Sequence, residues 1–281
     1  MREPAERLMT VFADELARSS LATLVTAGAT TLGLLAVLAE VAWMARRPGL
    51  QRTKVVVSAA TALAMAAGAA VVGFAYAAAL RRIWPIVGYC CPAVVAEFWT
   101  NHRMLAAGAA FVTWDGVGWV YHWIGHRTAI GWAAHQPHHT GTHFDLTLGL
   151  RQSWTPVHGL LVFPMTAAAG FGLSTVVLCS AVSGLWQLLV HTSFDVRFPS
   201  WFKAVVMTPD AHRHHHGCDP GGVSPAKNLG PVFTVWDRLA GTWAGADVPW
   251  PERYGLAGGA SANPLRLELA GWFALFGRRR S

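Results

Sequence analysis

Long apolar runs separated by short polar stretches dominate the chain. Residues 21–45 contain one charged side chain, Glu40, and residues 55–80 contain none. A helix needs about 20 predominantly apolar residues to cross a bilayer, so each run is long enough to span it. Residues 1–20 mix acidic and basic side chains, which predicts an amphipathic helix on the membrane surface.

Two later runs are apolar but interrupted. Residues 104–124 contain Asp115 and lead into closely spaced histidines, whereas residues 157–190 carry no formal charge but include Pro164 and Gly170. The former predicts a third transmembrane helix. The latter is long for one span and short for two, which predicts a hairpin of two short helices. We therefore expect an all-α integral membrane protein with about four transmembrane helices.

Basic residues between the first two runs set the expected orientation. This loop contains Arg46, Arg47, Arg52 and Lys54, and loops rich in Lys and Arg face the cytoplasm. Counting crossings from this loop returns both histidine-rich stretches to the cytoplasmic side. The chain is then one domain over residues 1–281, with a surface helix at 1–20, a membrane anchor at 21–101, a catalytic cytoplasmic cap at 102–243 and a cytoplasmic tail at 244–281.

Composition excludes several other classes of protein. Charged residues make up 13% of the chain, about half the usual fraction in soluble domains, and 14 Trp residues are typical of membrane interfaces. The net charge is +7, but the basic residues lie in small groups beside apolar runs. They therefore predict membrane loops rather than a nucleic-acid surface. The four cysteines form no CxxC pair, which argues against a disulfide framework and a zinc ribbon.

All 13 histidines lie between His102 and His216. Spacings of three and four residues place side chains on one face of a helix. Three motifs have this spacing, namely HxxxH at His122 and His126, HxxHH at His135, His138 and His139, and HxxHH at His212, His215 and His216.

Eight imidazoles exceed the four positions of one zinc ion and suit two metal ions. Zinc, copper, iron and nickel all accept such ligands, so the residue types leave the metal open. His191, which follows the predicted hairpin, is a ninth candidate ligand. His102 lies on the opposite side in this topology and His158 begins a membrane segment, so both are expected to be structural. His143 stays undecided.

The order of these motifs, with a lone histidine before the last one, resembles the fatty acid hydroxylase / sterol desaturase superfamily of membrane di-iron enzymes. The sequence around the motifs is similar to the alkylglycerol monooxygenase-like branch of that superfamily. This similarity lies at residues 132–139, 144–146, 150–153, 208–217, 227–230 and 236–242.

The resemblance implies nine iron ligands, which are His122, His126, His135, His138, His139, His191, His212, His215 and His216. His214 lies at a position where the family has no ligand. The branch usually has an acidic residue after each of the first two motifs, whereas this chain has Arg127 and then Thr142 and His143. These departures bear on the substrate more than on the metal chemistry.

The resemblance also implies a reaction. Two iron ions, for which zinc could substitute in a purified protein, would use O2 and external electrons to hydroxylate an unactivated C–H bond of a lipid-like or apolar molecule. The chain has no Gly-rich dinucleotide fingerprint and no cysteine cluster for iron–sulfur. We therefore expect a separate ferredoxin or cytochrome with its reductase as electron donor. Membrane lipid and the apolar substrate are the other expected partners, and nucleic acid is not expected.

Polar residues near the motifs are candidates to orient the imidazoles through their second ring nitrogen. Asp115 lies two helical turns before His122 and could act on that histidine. A location at the membrane–water boundary would explain its position equally well. Arg151 could pair with an acid or contact a polar substrate head. The candidates are Asp115, Asp145, Arg151, Asp210, Asn228 and Asp237.

Two other functions remain open. A desaturase on the same scaffold would share the oxidant and remove two hydrogens from the substrate. A metal transporter or metal-binding membrane protein would place its ligands near the bilayer midplane, whereas these motifs follow helix ends on one face. The oxygenase is therefore the favoured function.

Overall fold

The computed structural model describes residues 3–88, 91–155, 157–218, 225–256 and 261–277. Within these ranges the chain is helical and has no β-strand, which confirms the all-α prediction. The helices are α1 (Glu3–Met44), α2 (Arg52–Gly88), α3 (Ala93–Asn101), α4 (Arg103–Arg127), α5 (Ala129–His135), α6 (Val157–Ala168), α7 (Leu173–Leu189), α8 (Ser200–Val205), α9 (Pro209–His216), α10 (Val235–Ala240) and α11 (Pro264–Gly277).

In the described part of the chain, two helical segments are long and apolar enough to cross a membrane, Ser20–Met44 of α1 and Arg52–Trp84 of α2. Many of their large side chains face outward, and Leu24 and Phe74 expose 70% and 81% of their surface. Contiguous apolar surface of this kind is unfavourable in water and is satisfied by lipid. The residues expected to form a separate surface helix continue the first span, because α1 begins at Glu3 without a break.

The later apolar runs are helical at the positions where the sequence predicted helices. Residues 104–124 lie in α4, and α6 and α7 form a hairpin that turns at Gly170, whose φ of +84° favours glycine. These three helices pack through a core that includes Trp114, Val162 and Val176. This core lies beneath the histidine motifs, because His122 and His126 are on the last turns of α4.

The α1–α2 loop and the histidine-rich region lie at the same end of the membrane helices. Glu40, one turn before α1 ends, accepts hydrogen bonds from Thr192 and Ser193, directly after His191. Ser58, near the start of α2, accepts a hydrogen bond of 2.8 Å from Arg151. Contacts from both membrane helices therefore place the basic loop on the side of the histidine motifs.

The region expected to be a surface tail packs against the second histidine motif. Leu267 and Glu268 of α11 are buried, and the helix contacts α5. At Gly271 the two backbones are so close that a Cβ atom would lie 2.7 Å from Cα of Ala133. Part of the tail is therefore a structural element of the cap. Its terminal basic residues, 278–280, lie outside the described residues.

Candidate metal centre

Nine histidines converge from α4, α5 and the 3-10 turn after it, the end of α7, and α9. Their ring nitrogens form two groups, and within each group the candidate ligand atoms all lie within 4.8 Å of one another. The first group is His122, His126, His135, His139 and His215, and the second is His138, His191, His212 and His216. These are the nine histidines that the resemblance implied.

Each HxxHH motif contributes to both groups. His135 and His139 enter the first group together, and His212 and His216 enter the second, because residues four apart stack on one helical face. The remaining histidine of each motif, His138 or His215, belongs to the other group. Each group therefore needs histidines from both HxxHH motifs, so the second and the last motif must lie next to each other.

Backbone carbonyls determine which ring nitrogen carries the proton. Nδ1 of His122 lies 2.7 Å from the carbonyl oxygen of Leu229, and Nδ1 of His215 lies 2.9 Å from that of Lys227. A carbonyl oxygen only accepts, so each Nδ1 must donate and each Nε2 keeps a lone pair. The two Nε2 atoms are 3.1 Å apart. A cation between them would be coordinated by both lone pairs.

The second group repeats this arrangement. Nδ1 of His138 lies 3.0 Å from the carbonyl oxygen of Leu148, and Nδ1 of His191 lies 2.6 Å from that of Gln187. Their Nε2 atoms are 3.2 Å apart. Two facing lone pairs therefore occur in each group, and they are the strongest structural indication of two cation sites.

Burial keeps the imidazoles neutral. Desolvation first, and neighbouring imidazoles second, lower the pKa values of His135, His139 and His216 well below their usual range. In addition, Nε2 of His126 is buried and has no hydrogen-bond partner among the described residues. Neutral rings with free lone pairs are the form that binds metal, so the donor set fits two ions of intermediate softness such as iron or zinc.

Asn228 and Asp237 fix the segment that supplies two of the carbonyls. Asp237 accepts hydrogen bonds from the backbone N–H groups of Leu229 and Gly230, at 2.9 and 2.7 Å. Asn228 donates to the carbonyl of Ala211 in α9 at 2.9 Å, and its φ of +55° is the left-handed conformation that asparagine tolerates. Both side chains therefore act on the imidazoles through backbone carbonyls.

The remaining polar candidates contact the surrounding framework, which differs from the expectation that they orient imidazoles directly. On four rings a backbone carbonyl, rather than a carboxylate, accepts the hydrogen bond from Nδ1. A neutral acceptor avoids burying another charge beside the imidazoles. Asp115 accepts from Val232 N and Trp236 Nε1, Asp145 accepts from Thr147 N, Arg151 donates to Thr140 and Ser58, and Asp210 lies 3.8 Å from Lys203.

Glu40 is a buried polar residue to which the sequence assigned no role. Its side chain is 1% exposed. One oxygen accepts hydrogen bonds from Thr192 Oγ1, Ser193 N and Ser193 Oγ, at 2.6–2.8 Å, and the other accepts from Leu146 N at 2.7 Å. A lone carboxylate inside a membrane segment is costly unless it has partners. A charged residue within an apolar run was therefore the sequence signal for a role of Glu40. The sequence could not identify the hydrogen-bond partners of Glu40, because they lie more than 100 residues away.

The other histidines lie outside both groups. His102, at the start of α4, is exposed and contacts the carbonyl of Phe98, and His143 is exposed beside Thr142. His214 is on α9 but belongs to neither group. His158, expected to be structural, packs against Trp114 and Tyr121 and also lines a cavity next to the metal centre.

This cavity joins the metal centre to the side of the membrane helices. Its volume is about 410 Å³, and its walls include Ala69 and Val72 of α2 and Leu188 of α7. Five of the nine histidines also line it, namely His122, His135, His138, His191 and His212. A molecule in the cavity therefore contacts both groups of histidines and the lipid-facing part of the fold.

Comparison with known proteins identifies the class. Residues 107–242 match the model of the fatty acid hydroxylase family, and this stretch contains all nine converging histidines. The similarity to the fatty acid hydroxylase family therefore covers just under half of the chain.

Its relatives indicate the branch. The chain is similar to alkylglycerol monooxygenases from Danio rerio (30% identity over 154 residues, 52% of this chain and 34% of the relative), Xenopus tropicalis (29% over 168, 56% and 36%) and Homo sapiens (27% over 158, 52% and 34%). The chain thus spans about a third of the length of these relatives. No solved structure matches it. The similarity confirms the resemblance to the alkylglycerol monooxygenase-like branch.

Proposed function

We propose that the chain is a membrane-bound di-iron monooxygenase that hydroxylates an unactivated C–H bond of a lipid-like molecule. The observation that carries the proposal is the pair of facing Nε2 lone pairs in each histidine group. The match to the fatty acid hydroxylase family model and the similarity to alkylglycerol monooxygenases support the choice of reaction.

Two bound iron ions would supply the activation of O2, in a reaction that converts C–H, O2, two electrons and two protons into C–OH and water. The five-histidine and four-histidine groups would each hold one ion. Their neutral rings leave the ions' positive charge uncompensated, and the carbonyls of Leu229, Lys227, Leu148 and Gln187 fix the orientation of four rings. Burial of seven of the nine ligands would exclude water from around the ions.

The cavity supports an apolar substrate that enters from the bilayer. Ala69, Val72 and Gly73 line it from α2, a helix with the length and composition of a membrane span. A lipid in the membrane could therefore reach the centre without crossing water, and one of its carbon atoms would then lie beside the histidines that line the cavity.

The centre faces the cytoplasm in this proposal. Arg46 and Arg47 lie in the loop beside the histidine end of α1, and positive loops remain cytoplasmic. Electrons would arrive on the same side from a separate ferredoxin or cytochrome and its reductase.

Oxygen consumption tests the proposal. Iron-loaded full chain in lipid nanodiscs is mixed with a reductant, a ferredoxin or cytochrome with its reductase, and neutral or acidic alkyl lipids. We expect lipid- and reductant-dependent O2 uptake and a product that has gained one oxygen atom by mass spectrometry. His135→Ala and His215→Ala should abolish the uptake, whereas His102→Ala and His214→Ala should retain it. Uptake that persists in His215→Ala would remove the metal centre from the reaction.

Other outcomes identify the competing functions. A product that has lost two hydrogens indicates a desaturase on the same scaffold. Two bound ions without lipid-dependent O2 uptake, together with metal flux across sealed vesicles, indicate a transporter.

A further inference from the structure

A second recess, which we call the groove, lies on the face of α7 that points away from the metal centre. Leu185, Trp186 and Leu189 of α7 line the groove. Gly184 and Leu188 of the same helix line the cavity beside the metal centre instead. Because these two sets of residues lie on opposite faces of α7, the helix separates the groove from the cavity.

The lining of the groove is apolar. Among the described residues that line it, only Trp186 has a polar side-chain atom, and its Nε1 donates to the carbonyl of Met207 at 3.0 Å. A polar molecule in the groove would therefore lose its hydration without gaining a hydrogen bond from these side chains. An apolar chain has no such cost, and the groove's volume of about 510 Å³ is typical of small-molecule sites.

The groove lies beside the middle of a membrane-length helix. Gly28 lines it from the Ser20–Met44 segment of α1 and lies about 12 Å from the beginning and about 24 Å from the end of that segment. Leu32 and Val182, which also line the groove, expose 60% and 48% of their surface. Since the hydrocarbon core of a bilayer is about 30 Å thick, the open side of the groove faces acyl chains rather than water.

The walls of the groove are held in place without a ligand. On the α1 side, a Cβ atom at Gly28 would meet no atom within 4 Å, so glycine leaves open space there. On the opposite side, Val206, directly after α8, forms a β-bridge with Phe233, and the ring of Phe233 packs 5.8 Å from that of Phe111 in α4. A preformed recess binds a flexible chain without a further ordering cost to the protein.

We propose that the groove binds one acyl chain of a bilayer phospholipid, at a site separate from the cavity beside the metal centre. The protein holds the lipid by its chain, so the charge of the head group has little influence on binding. The proposal does not rest on the oxygenase function, because binding in the groove involves neither the metal ligands nor turnover.

Lipid retention during exchange tests the site. Metal-loaded full chain is reconstituted in nanodiscs of phosphatidylcholine that carries a photoreactive diazirine on one acyl chain. The lipid is then exchanged against an excess of ordinary phosphatidylcholine, and native mass spectrometry counts the diazirine lipid that remains. We expect one such lipid per chain. Gly28→Phe and Ala29→Phe should each lower its retention about tenfold, since a ring that displaces roughly two methylene groups costs this factor.

Two variants and a photoreaction provide the controls. Gly28→Ala adds only a methyl group, and Ala27→Phe adds the same ring at an exposed position of α1 that does not line the groove. Both should retain the lipid as the wild-type chain does. Irradiation after exchange should modify Trp186 and Phe202, which line the groove, and should leave Phe74, on the exposed face of α2, unmodified.

Three outcomes overturn the proposal. The first is complete exchange of the lipid by the wild-type chain, which needs no variant. The second is unchanged retention in both Gly28→Phe and Ala29→Phe with wild-type metal content, because the retained lipid then lies elsewhere. The third is a dimer without lipid adducts at Trp186, which would mean that a second copy of the chain fills the groove. Retention in the groove without lipid-dependent O2 uptake would contradict only the oxygenase function.

Discussion

The two proposed metal sites depend on which nitrogen of each imidazole ring carries the proton. In both histidine groups a backbone carbonyl takes the Nδ1 proton of two rings, so that their Nε2 lone pairs face each other at 3.1 or 3.2 Å. Without a metal ion, the two facing lone pairs repel each other and destabilise the protein. A bound cation would attract both lone pairs, so the interaction would become stabilising. The metal is therefore expected to contribute to the stability of the fold as well as to chemistry.

Removal of one ligand from the four-histidine group tests the division into two groups. His191→Ala should lower the metal content from two ions to about one per chain and abolish lipid hydroxylation, because the remaining group keeps all five of its rings. Inductively coupled plasma mass spectrometry measures the ions. His214→Ala, directly before His215 but in neither group, is the matched control. Loss of both ions would mean that the groups bind metal as one unit.

Metal removal should destabilise the protein. A ligand that binds only the folded state stabilises it by about 2.7 kcal/mol at a concentration 100 times its dissociation constant. Chelation should therefore lower the melting temperature, and addition of Fe(II) or Zn(II) should restore it. Differential scanning fluorimetry in detergent measures this shift. An unchanged melting temperature after complete metal removal would argue against the facing lone pairs as a binding site.

The sequence predicted which histidines converge but not how they divide. Local spacing puts His135 with His139 and His212 with His216, since each pair is one helical turn apart. The placement of His138 and His215 in the opposite groups depends on how α5, its 3-10 turn and α9 face one another. Carbonyl partners such as Leu229 were also unpredictable, because every residue has a carbonyl group and only the folded loop selects one.

At the level of elements, two helices far from the motifs in sequence hold the cap in place. Glu40 of α1 joins the loops at Leu146 and at Thr192 and Ser193. At the other end of the chain, α11 covers α5. The hydrophobic pattern predicted the length and apolar character of the membrane helices. It could not predict these contacts, because periodicity identifies an apolar face without identifying its partner.

Glu40 tests the first of these contacts. Hydrogen bonds to a charged group contribute about 1.5–3 kcal/mol each, so Glu40→Ala should destabilise the loop after His191 and reduce the metal bound by the four-histidine group. Glu40→Gln preserves the shape and should retain more metal than Glu40→Ala. Metal content and melting temperature are measured together. The control is Glu97→Gln on the exposed face of α3, and equal metal content in all the variants would exclude a positioning role.

Gly271 tests the second contact. A methyl group at this position would lie 2.7 Å from the backbone of Ala133, which cannot move aside as a flexible side chain can. Gly271→Ala should therefore separate α11 from α5 and destabilise the protein by about 1–3 kcal/mol, the usual cost of overpacking. Gly277→Ala, where no atom lies within 4 Å of the added group, is the matched control. Thermal unfolding should distinguish them, and equal stability would contradict the close helix packing.

At the level of the whole molecule, the lipid-exposed helices and the histidine cap form one unit. Hydrogen bonds from α1 and α2 to the cap place the basic α1–α2 loop beside the metal centre. The cavity bounded by α2 follows from the same arrangement. Under the proposed function, membrane insertion would therefore fix the side on which the centre lies and the direction from which a lipid enters.

Cysteine labelling tests the orientation. In a chain whose native cysteines are replaced by serine, Gln51→Cys in the α1–α2 loop should resist a membrane-impermeant maleimide added outside intact cells. Glu97→Cys on α3, at the start of the segment that leads into α4, should react. Permeabilised cells should label both positions, which controls for exposure. The reverse pattern in intact cells would place the metal centre outside.

Anomalous scattering at the iron edge, from the full chain crystallised in lipid with Fe(II), tests the central claim most directly. We predict two peaks per chain, one within about 2.1 Å of Nε2 of His122 and His215 and the other equally close to Nε2 of His138 and His191, at distances usual for imidazole ligands. A single peak, or peaks away from these nitrogens, would contradict the assignment of two metal ions to the nine histidines.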